Sequence, residues 1–268
     1  TAPLKLMRAE RGENGRCELP LLHTAGGLIG GDQLSINLTL KRESRCLITS
    51  VAAQKIYGSV GRSKLHPQGA WAHQNVKADL DAESDLEWLP QELVLYADAL
   101  FEQNLSITLP MDGSFLSAEI VRLGRTAANE TLGQGCWRSS IELQRRTHEG
   151  RRWELVDRLE ISEEVLKGVH GLNQQPVFGT LVWAAPFPLH TGLLNTLLED
   201  IRQDRNALKG TMHCGVLPQG LIARYSGDSS RDARFWFSRI WARTRQARGL
   251  APPQIPRAWP LQEDPLKA

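Results

Sequence analysis

The chain has 268 residues, 41% of them hydrophobic, enough for one large core with a small appended unit. Its 32 basic and 30 acidic residues leave a net charge of +2, too dilute for the concentrated basic surface of a dedicated nucleic-acid binder. No run approaches the length of a membrane span and no charged segment leads into an apolar stretch near the start, so the expected compartment is the cytoplasm.

From residue 32 onward the chain reads as strands. In 32–40, Leu34, Ile36, Leu38 and Leu40 alternate with Gln33, Ser35, Asn37 and Thr39, the period of a half-buried strand. Further strands are expected at 45–51, 86–89, 93–96, 105–109, 115–123, 137–144 and 153–161. Asp112-Gly113 and Glu149-Gly150 stand between neighbouring runs where Gly accepts positive φ, which predicts hairpins and therefore antiparallel pairing. After Pro188 the period changes: Leu193, Leu194, Leu197, Leu198 and Ile201 predict an amphipathic helix within 190–208. A hairpin, 212–217 and 221–225, then crosses Pro218-Gln219-Gly220, and a second helix runs over 230–248 to Gly249. The expected fold is mostly β: a large antiparallel or irregular framework over 1–188, a helix-hairpin-helix appendage over 189–250 packed on it, and a Pro-rich tail over 251–268 running extended on the surface.

Strand parity singles out three acids, because side chains two apart share a face. Asp32 is in phase with Leu34 and Ile36, Glu119 with Phe115, Val121 and Leu123, and Asp157 with Trp153, Leu155, Leu159 and Ile161. A carboxylate on an apolar face is paired, hydrogen-bonded or turned toward an internal water-filled space. Arg122, Arg125 and Arg158 are near in sequence, but Arg122 and Arg158 fall on the opposite faces of regular strands. A hydrated interior lined by carboxylates attracts a divalent cation.

The densest motif is His23-Thr24-Ala25-Gly26-Gly27-Leu28-Ile29-Gly30-Gly31-Asp32. It breaks the register of a dinucleotide loop and opens a strand rather than a helix, so a bulged strand or a tight glycine crossing is the better reading. With the alternating strand after it, the motif resembles the signature of the UreD (UreH) urease accessory family. The resemblance continues through Gln54-Lys55-Ile56-Tyr57, Leu86-Glu87-Trp88-Leu89-Pro90-Gln91-Glu92, Glu119-Ile120-Val121-Arg122-Leu123-Gly124-Arg125, Val156-Asp157-Arg158-Leu159, Gly179-Thr180-Leu181 and Ile255-Pro256-Arg257-Ala258-Trp259. Family members usually carry a further strand-rich segment before the position of Thr1.

The resemblance implies a non-enzymatic protein that joins UreF, UreG and the urease apoprotein while nickel is inserted, with GTP used by UreG. It implies no stably bound cofactor and no membrane or nucleic-acid partner. Nickel passes along an internal acidic path, where Asp32, Glu119 and Asp157 match the family's acids and act as transient ligands only. Carboxylates suit transit, since a conduit must release what it admits. His23, Gly26, Gly27, Gly30, Gly31, Trp88, Pro90 and Gln91 belong to the motifs; a hydrogen bond from His23 fixing the glycine turn accounts for that residue. Partner contact is expected in the C-terminal region, at Trp236, Trp241, Pro256, Arg257 and Trp259, although docking of the second helix onto the chain's own sheet accounts for most of its apolar residues. Two other functions fit less well. An all-β metal-dependent hydrolase using the buried acids lacks an H-x-H, H-E-x-x-H or nucleophile-elbow pattern. A sugar- or peptide-binding module requires an exposed aromatic platform, for which Trp71, Trp88 and Trp183 are the candidates.

Overall fold

In the computed structural model, which describes residues 3–12, 15–261 and 263–267, the chain coils back and forth between two β-sheets. β1 (Leu4–Leu6) and β2 (Glu10–Arg11) pair with β3 (Cys17–His23) in the larger, 11-stranded sheet. The chain crosses to a 5-stranded sheet as β4 (Gln33–Leu40), returns as β5 (Arg45–Ser50) and β6 (Gln54–Ile56), and crosses again as β7 (Ala72–Leu80). β8 (Asp85–Leu89) and β9 (Leu93–Leu95) return, β10 (Leu100–Leu109) crosses, and β11 (Ser114–Leu123) returns. β12 (Cys136–Thr147) and β13 (Gly150–Ser162) complete the smaller sheet, followed by the short helix α1 (Glu163–Lys167). β14 (Val177–Ala184), α2 (Thr191–Gln203), the hairpin of β15 (Thr211–Leu217) and β16 (Gly220–Gly227), and α3 (Ser230–Ala247) follow. None of the helices among the described residues is long and apolar enough to cross a membrane.

The mostly β character and the two larger C-terminal helices are as the sequence predicts; the pairing direction is not. β3, β5, β8 and β11 run parallel to one another in one sheet, as do β4, β7, β10 and β12 in the other. Each crossing reverses the chain and two crossings restore its direction, so neighbours within a sheet are parallel. The expected hairpin at Asp112-Gly113 is instead a corner between sheets. Its carbonyls find a guanidinium rather than a partner strand: Arg145 donates to the Pro110, Met111 and Gly113 oxygens at 2.9, 3.0 and 3.1 Å. At Glu149-Gly150 the expected hairpin does form, joining β12 and β13. The C-terminal hairpin is the edge of the larger sheet, in the order β11, β14, β16, β15.

The inter-sheet core packs Phe115, Ile48 and Leu86 of the larger sheet against Val76, Leu105 and Ile107 of the smaller. On the other face of the larger sheet, Trp236, Phe237, Ile240 and Trp241 of α3 cover Leu116, Ala118 and Trp183, with Leu197 and Ile201 of α2 beside them. Polar anchors fix this layer. Glu87, 2% exposed, accepts from Arg16 (2.5 Å), Arg245 (3.0 Å) and the Trp241 indole (2.8 Å), joining β8, the approach to β3, and α3.

The tail does more than run over the surface. Trp259 is buried beside Trp241, donates to Thr49 Oγ1 at 2.8 Å, and lies under the Arg234 guanidinium. Proline blocks helix there, but it does not keep an aromatic side chain out of the core.

Two stability measurements follow from these anchors. Glu87→Gln leaves the buried Arg245 guanidinium without a counter-charge and Arg16 with Glu18 alone, and urea denaturation is expected to show a loss of about 3–5 kcal/mol. Deleting 251–268 uncovers Trp241 and Arg234, so it lowers the unfolding midpoint of the whole chain; an unchanged midpoint would show that the tail is only an appendage.

Candidate functional site

His23 ends β3, and the glycine segment after it squeezes between two other stretches of chain. A Cβ on Gly27 would stand 2.6 Å from the Lys55 carbonyl oxygen, and one on Gly30 2.7 Å from that of Ala70. Leu28 bridges to Ile56, its N–H donating to the Lys55 oxygen at 2.8 Å. The motif is therefore a tight crossing that brings His23 and Asp32 close in space.

Beside it, between the sheets, lies a cavity of about 190 Å³. Part of its polar lining comes from a register row. Gln74 of β7 and Gln103 of β10 are partners in the smaller sheet, with Ser139 of β12 next in the row behind the lining, and Glu119 faces Thr180 across β11 and β14. Gln103 Nε2 donates to Glu119 Oε2 at 2.7 Å, spanning the two sheets. Among the described residues, both ring nitrogens of His23, Gln74 Oε1 and Gln54 Nε2 are buried with no hydrogen-bond partner, and all three residues line the cavity. Leaving polar atoms buried and unpaired in this way is costly.

The three predicted acids occupy different settings. Glu119, part-buried, lines the cavity. Burial, reinforced by the neighbouring Asp157 charge, pushes its carboxyl up to about 7. Asp157 shares the inner face with Leu155, Leu159 and Ile161 but is held by Arg224 at 2.6 Å, whose guanidinium also donates to Thr180 Oγ1. Asp32 caps the glycine turn, its Oδ2 accepting from the Ile29 N–H at 2.9 Å, and it stands in electrostatic contact with His23. Desolvation lowers the His23 pKa, against the pull of Asp32, so the imidazole is held in its neutral form. The structure thus couples Glu119 with Asp157 and Asp32 with His23; among the described residues no three His, Cys, Asp or Glu side chains are grouped to hold a metal ion.

Two expectations need correction. Trp153 is not in phase with Asp157: a bulge opposite Leu143 and Gln144 shifts the register, leaving Trp153 half exposed and turning Glu154 inward onto Arg145. The hydrogen bond expected to fix the glycine turn through His23 is absent, since neither ring nitrogen has a partner among the described residues. The neighbouring arginines behave as their faces imply: Arg122 turns to Thr126, Arg125 to Glu130 and Arg158 to Glu142.

Trp88 and Gln91 are buried, line the cavity with Pro90, and belong to the strand end that receives α3, where Arg234 donates to the Pro90 oxygen at 2.9 Å. Trp88 and Trp183 are both in the core, so they form no exposed aromatic platform. Trp236, Trp241, Pro256 and Trp259 are likewise buried within the chain itself, and of the five C-terminal contact residues Arg257 alone is exposed. α3 needs apolar residues on more than one face because the sheet covers one side and α2 and the tail cover others. Gln74, Gln103 and Arg224 escaped the sequence analysis, and Thr180 entered it only as part of a motif. Parity applied to amides as well as acids reaches the first two: Gln103 is in phase with Phe101, Leu105 and Ile107, and Gln74 with Ala72, Val76 and Ala78.

A family model described as UreD urease accessory protein matches residues 1–260. The chain is 84% identical over 267 residues to a urease accessory protein UreD of Synechococcus sp. strain CC9311, covering 100% of this chain and 90% of that protein. It is 60% identical over 264 residues to the protein of that name from Prochlorococcus marinus strain MIT 9303, with 98% and 88% covered. For the one from strain NATL1A the identity is 52% over 268 residues, with 100% and 87% covered.

The Glu119 environment sets a pH dependence. With its pKa raised from 4.5 to about 7, the protonated carboxyl favours the fold fully below pH 4.5, and that advantage is lost as pH rises through 7. At pH 8 the Glu119→Gln variant is expected to be the more stable by roughly 1–3 kcal/mol, the two proteins converging near pH 5. Thermal unfolding at the two pH values checks this.

Proposed function

Because the chain belongs to the family of UreD urease accessory proteins, and is an accessory protein rather than an enzyme, we propose that it conducts nickel through the cavity between its sheets during assembly of the urease metallocentre. In this reading it acts in the cytoplasm as a scaffold joining UreF, UreG and the urease apoprotein, with UreG using GTP. Nickel is cargo, held in passing and released.

The observation that carries the proposal is Glu119, a carboxyl group on the lining of an interior cavity with an amide, not a guanidinium, as its near partner. A carboxylate beside water holds a divalent cation loosely enough to let it go, whereas clustered thiolates or imidazoles would retain it. Asp32, at the glycine crossing, neighbours His23 and does not itself line the cavity. Asp157 contributes differently, because Arg224 already neutralises it. It positions that arginine and adds negative potential near Glu119 while taking little part as a ligand.

Partner binding then rests on surfaces other than the buried tryptophans, and Arg257 is the tail residue free to take part. The test is urease activity and nickel content after maturation with Asp32→Asn, Glu119→Gln or Asp157→Asn protein that still assembles with the other accessory proteins. Glu119→Gln is expected to lower nickel content the most and Asp157→Asn the least. Full nickel loading with all three variants would end the conduit reading.

A further inference from the structure

Among the described residues β1 and β2 pair with β3 alone, so the first three strands join the rest of the larger sheet through the ladder of β3 with β5. That ladder is parallel and runs from Cys17 beside Cys46 to Leu21 beside Ser50, so two thiols form its opening rung. Residues paired across a sheet project to the same side. Here it is the inter-sheet side: Cys46 packs at the margin of the inter-sheet core, as do Leu19 and Leu21, which share the Cys17 face of β3. The other two cysteines have no thiol opposite them, since Cys136 stands beside Leu100 and Ser162 and Cys214 beside Ala223.

The rung has the dimensions of a disulfide that can be made and broken. Neighbouring strands stand about 4.8 Å apart, inside the roughly 4.4–6.8 Å over which a disulfide joins two Cα atoms. A parallel rung keeps the Cβ atoms near that same spacing, wider than the ~3.8 Å of a relaxed disulfide, which makes the bond easier to reduce. The two thiols also differ in their surroundings. Cys17 is exposed and Cys46 half-buried, and burial together with the Cys17 thiol beside it pushes Cys46 up to about 12. Cys46 therefore stays protonated at neutral pH, and the exposed Cys17 is the thiol that an oxidant in solution meets first.

We propose that Cys17 and Cys46 are a redox-modification site, oxidised by a peroxide to a reversible disulfide that staples β3 to β5. The Cys17 thiolate attacks one peroxide oxygen: the S–O bond forms as the O–O bond breaks, and the departing hydroxide takes up a proton to leave as water. The Cys46 sulfur then attacks the Cys17 sulfenic acid, the S–S bond forming as the S–O bond breaks, and the second hydroxide leaves as water with the Cys46 proton. Two thiols are oxidised and one peroxide is reduced to two waters. A thiol reductant reverses the bond by exchange. From the staple the two strands run on to Leu21, His23, Thr49 and Ser50 of the cavity lining, so the bond ties together two strands of one cavity wall. The inference stands whether or not that cavity conducts nickel.

The test exposes the fully reduced chain to hydrogen peroxide. Expected are the loss of two of its four free thiols, an intact mass lower by two hydrogens, a peptide linkage between positions 17 and 46, and recovery of both thiols with dithiothreitol. Cys46→Ala, which keeps an apolar group against the core, is expected to stop at the Cys17 sulfenic acid, captured by dimedone. Cys17→Ser, a change at an exposed position, is expected to lose the linkage with the fold unaltered by circular dichroism, so the reading survives if Cys46→Ala folds poorly. Cys136→Ser is expected to keep the linkage. A folded, reduced chain that retains all four thiols at peroxide levels that oxidise free glutathione overturns the proposal, as does a linkage through Cys136, Cys214 or a second molecule.

Discussion

The hydrogen bond from Gln103 to Glu119 crosses a gap that two packed sheets ordinarily fill with apolar side chains. Above and below it the gap is filled that way, by Phe115, Leu105 and Ile107 on one side and by Phe101, Leu123 and Trp137 on the other. At the level of Glu119 the facing residues are amides and hydroxyls, in register across several strands of the smaller sheet. Apolar groups cannot pack tightly against such a row without leaving its polar atoms unsatisfied, and a cavity stands there between two close-packed layers. The coiled, largely parallel topology makes this possible, because it stacks equivalent positions of successive strands side by side.

Buried acids in this chain fall into two groups. Glu87, Glu154 and Asp157 each hold an arginine at ion-pair distance; the Glu87 and Asp157 pairs join elements distant in sequence, while Glu154 and Arg145 face each other within one hairpin. Such groups organise the fold: removing either member strands the other charge in a poor solvent. Glu119 has no arginine against it, which is why its carboxyl is driven toward the neutral form near pH 7 while the paired acids have a counter-charge. A cation entering the cavity would supply the missing counter-charge. It would bind by displacing a proton, and the proton would be recovered on release.

Much of this was legible in the sequence. Alternation in 32–40 and 115–123 marked strands and the acids on their inner faces, since period-two patterning is a local property. Leucine spacing in α2, Gly249 after α3 and the Pro218-Gln219-Gly220 turn were readable for the same reason. Sheet membership was not, because a turn such as Asp112-Gly113 reverses the chain whether the next strand pairs beside the last or crosses to another sheet. Arg145, which decides between them here, makes its contacts over more than thirty residues. The bulge that exposes Trp153 was equally hidden, for one extra residue inverts every later side chain without changing composition. Asp157 was correctly placed on an inner face, but its partner, Arg224, comes from a strand of the other sheet.

The difference between Glu119 and Asp157 also shapes the electrostatics of the interior. Asp157 is tied to Arg224, which reaches Thr180 as well, yet its negative charge is still felt at Glu119 and adds to the burial that raises that carboxyl. Charges act more strongly on one another in such a low-dielectric space than in water. A shift of β13 or β16, the strands that carry the two members of the pair, would therefore change the protonation of Glu119 without touching that residue.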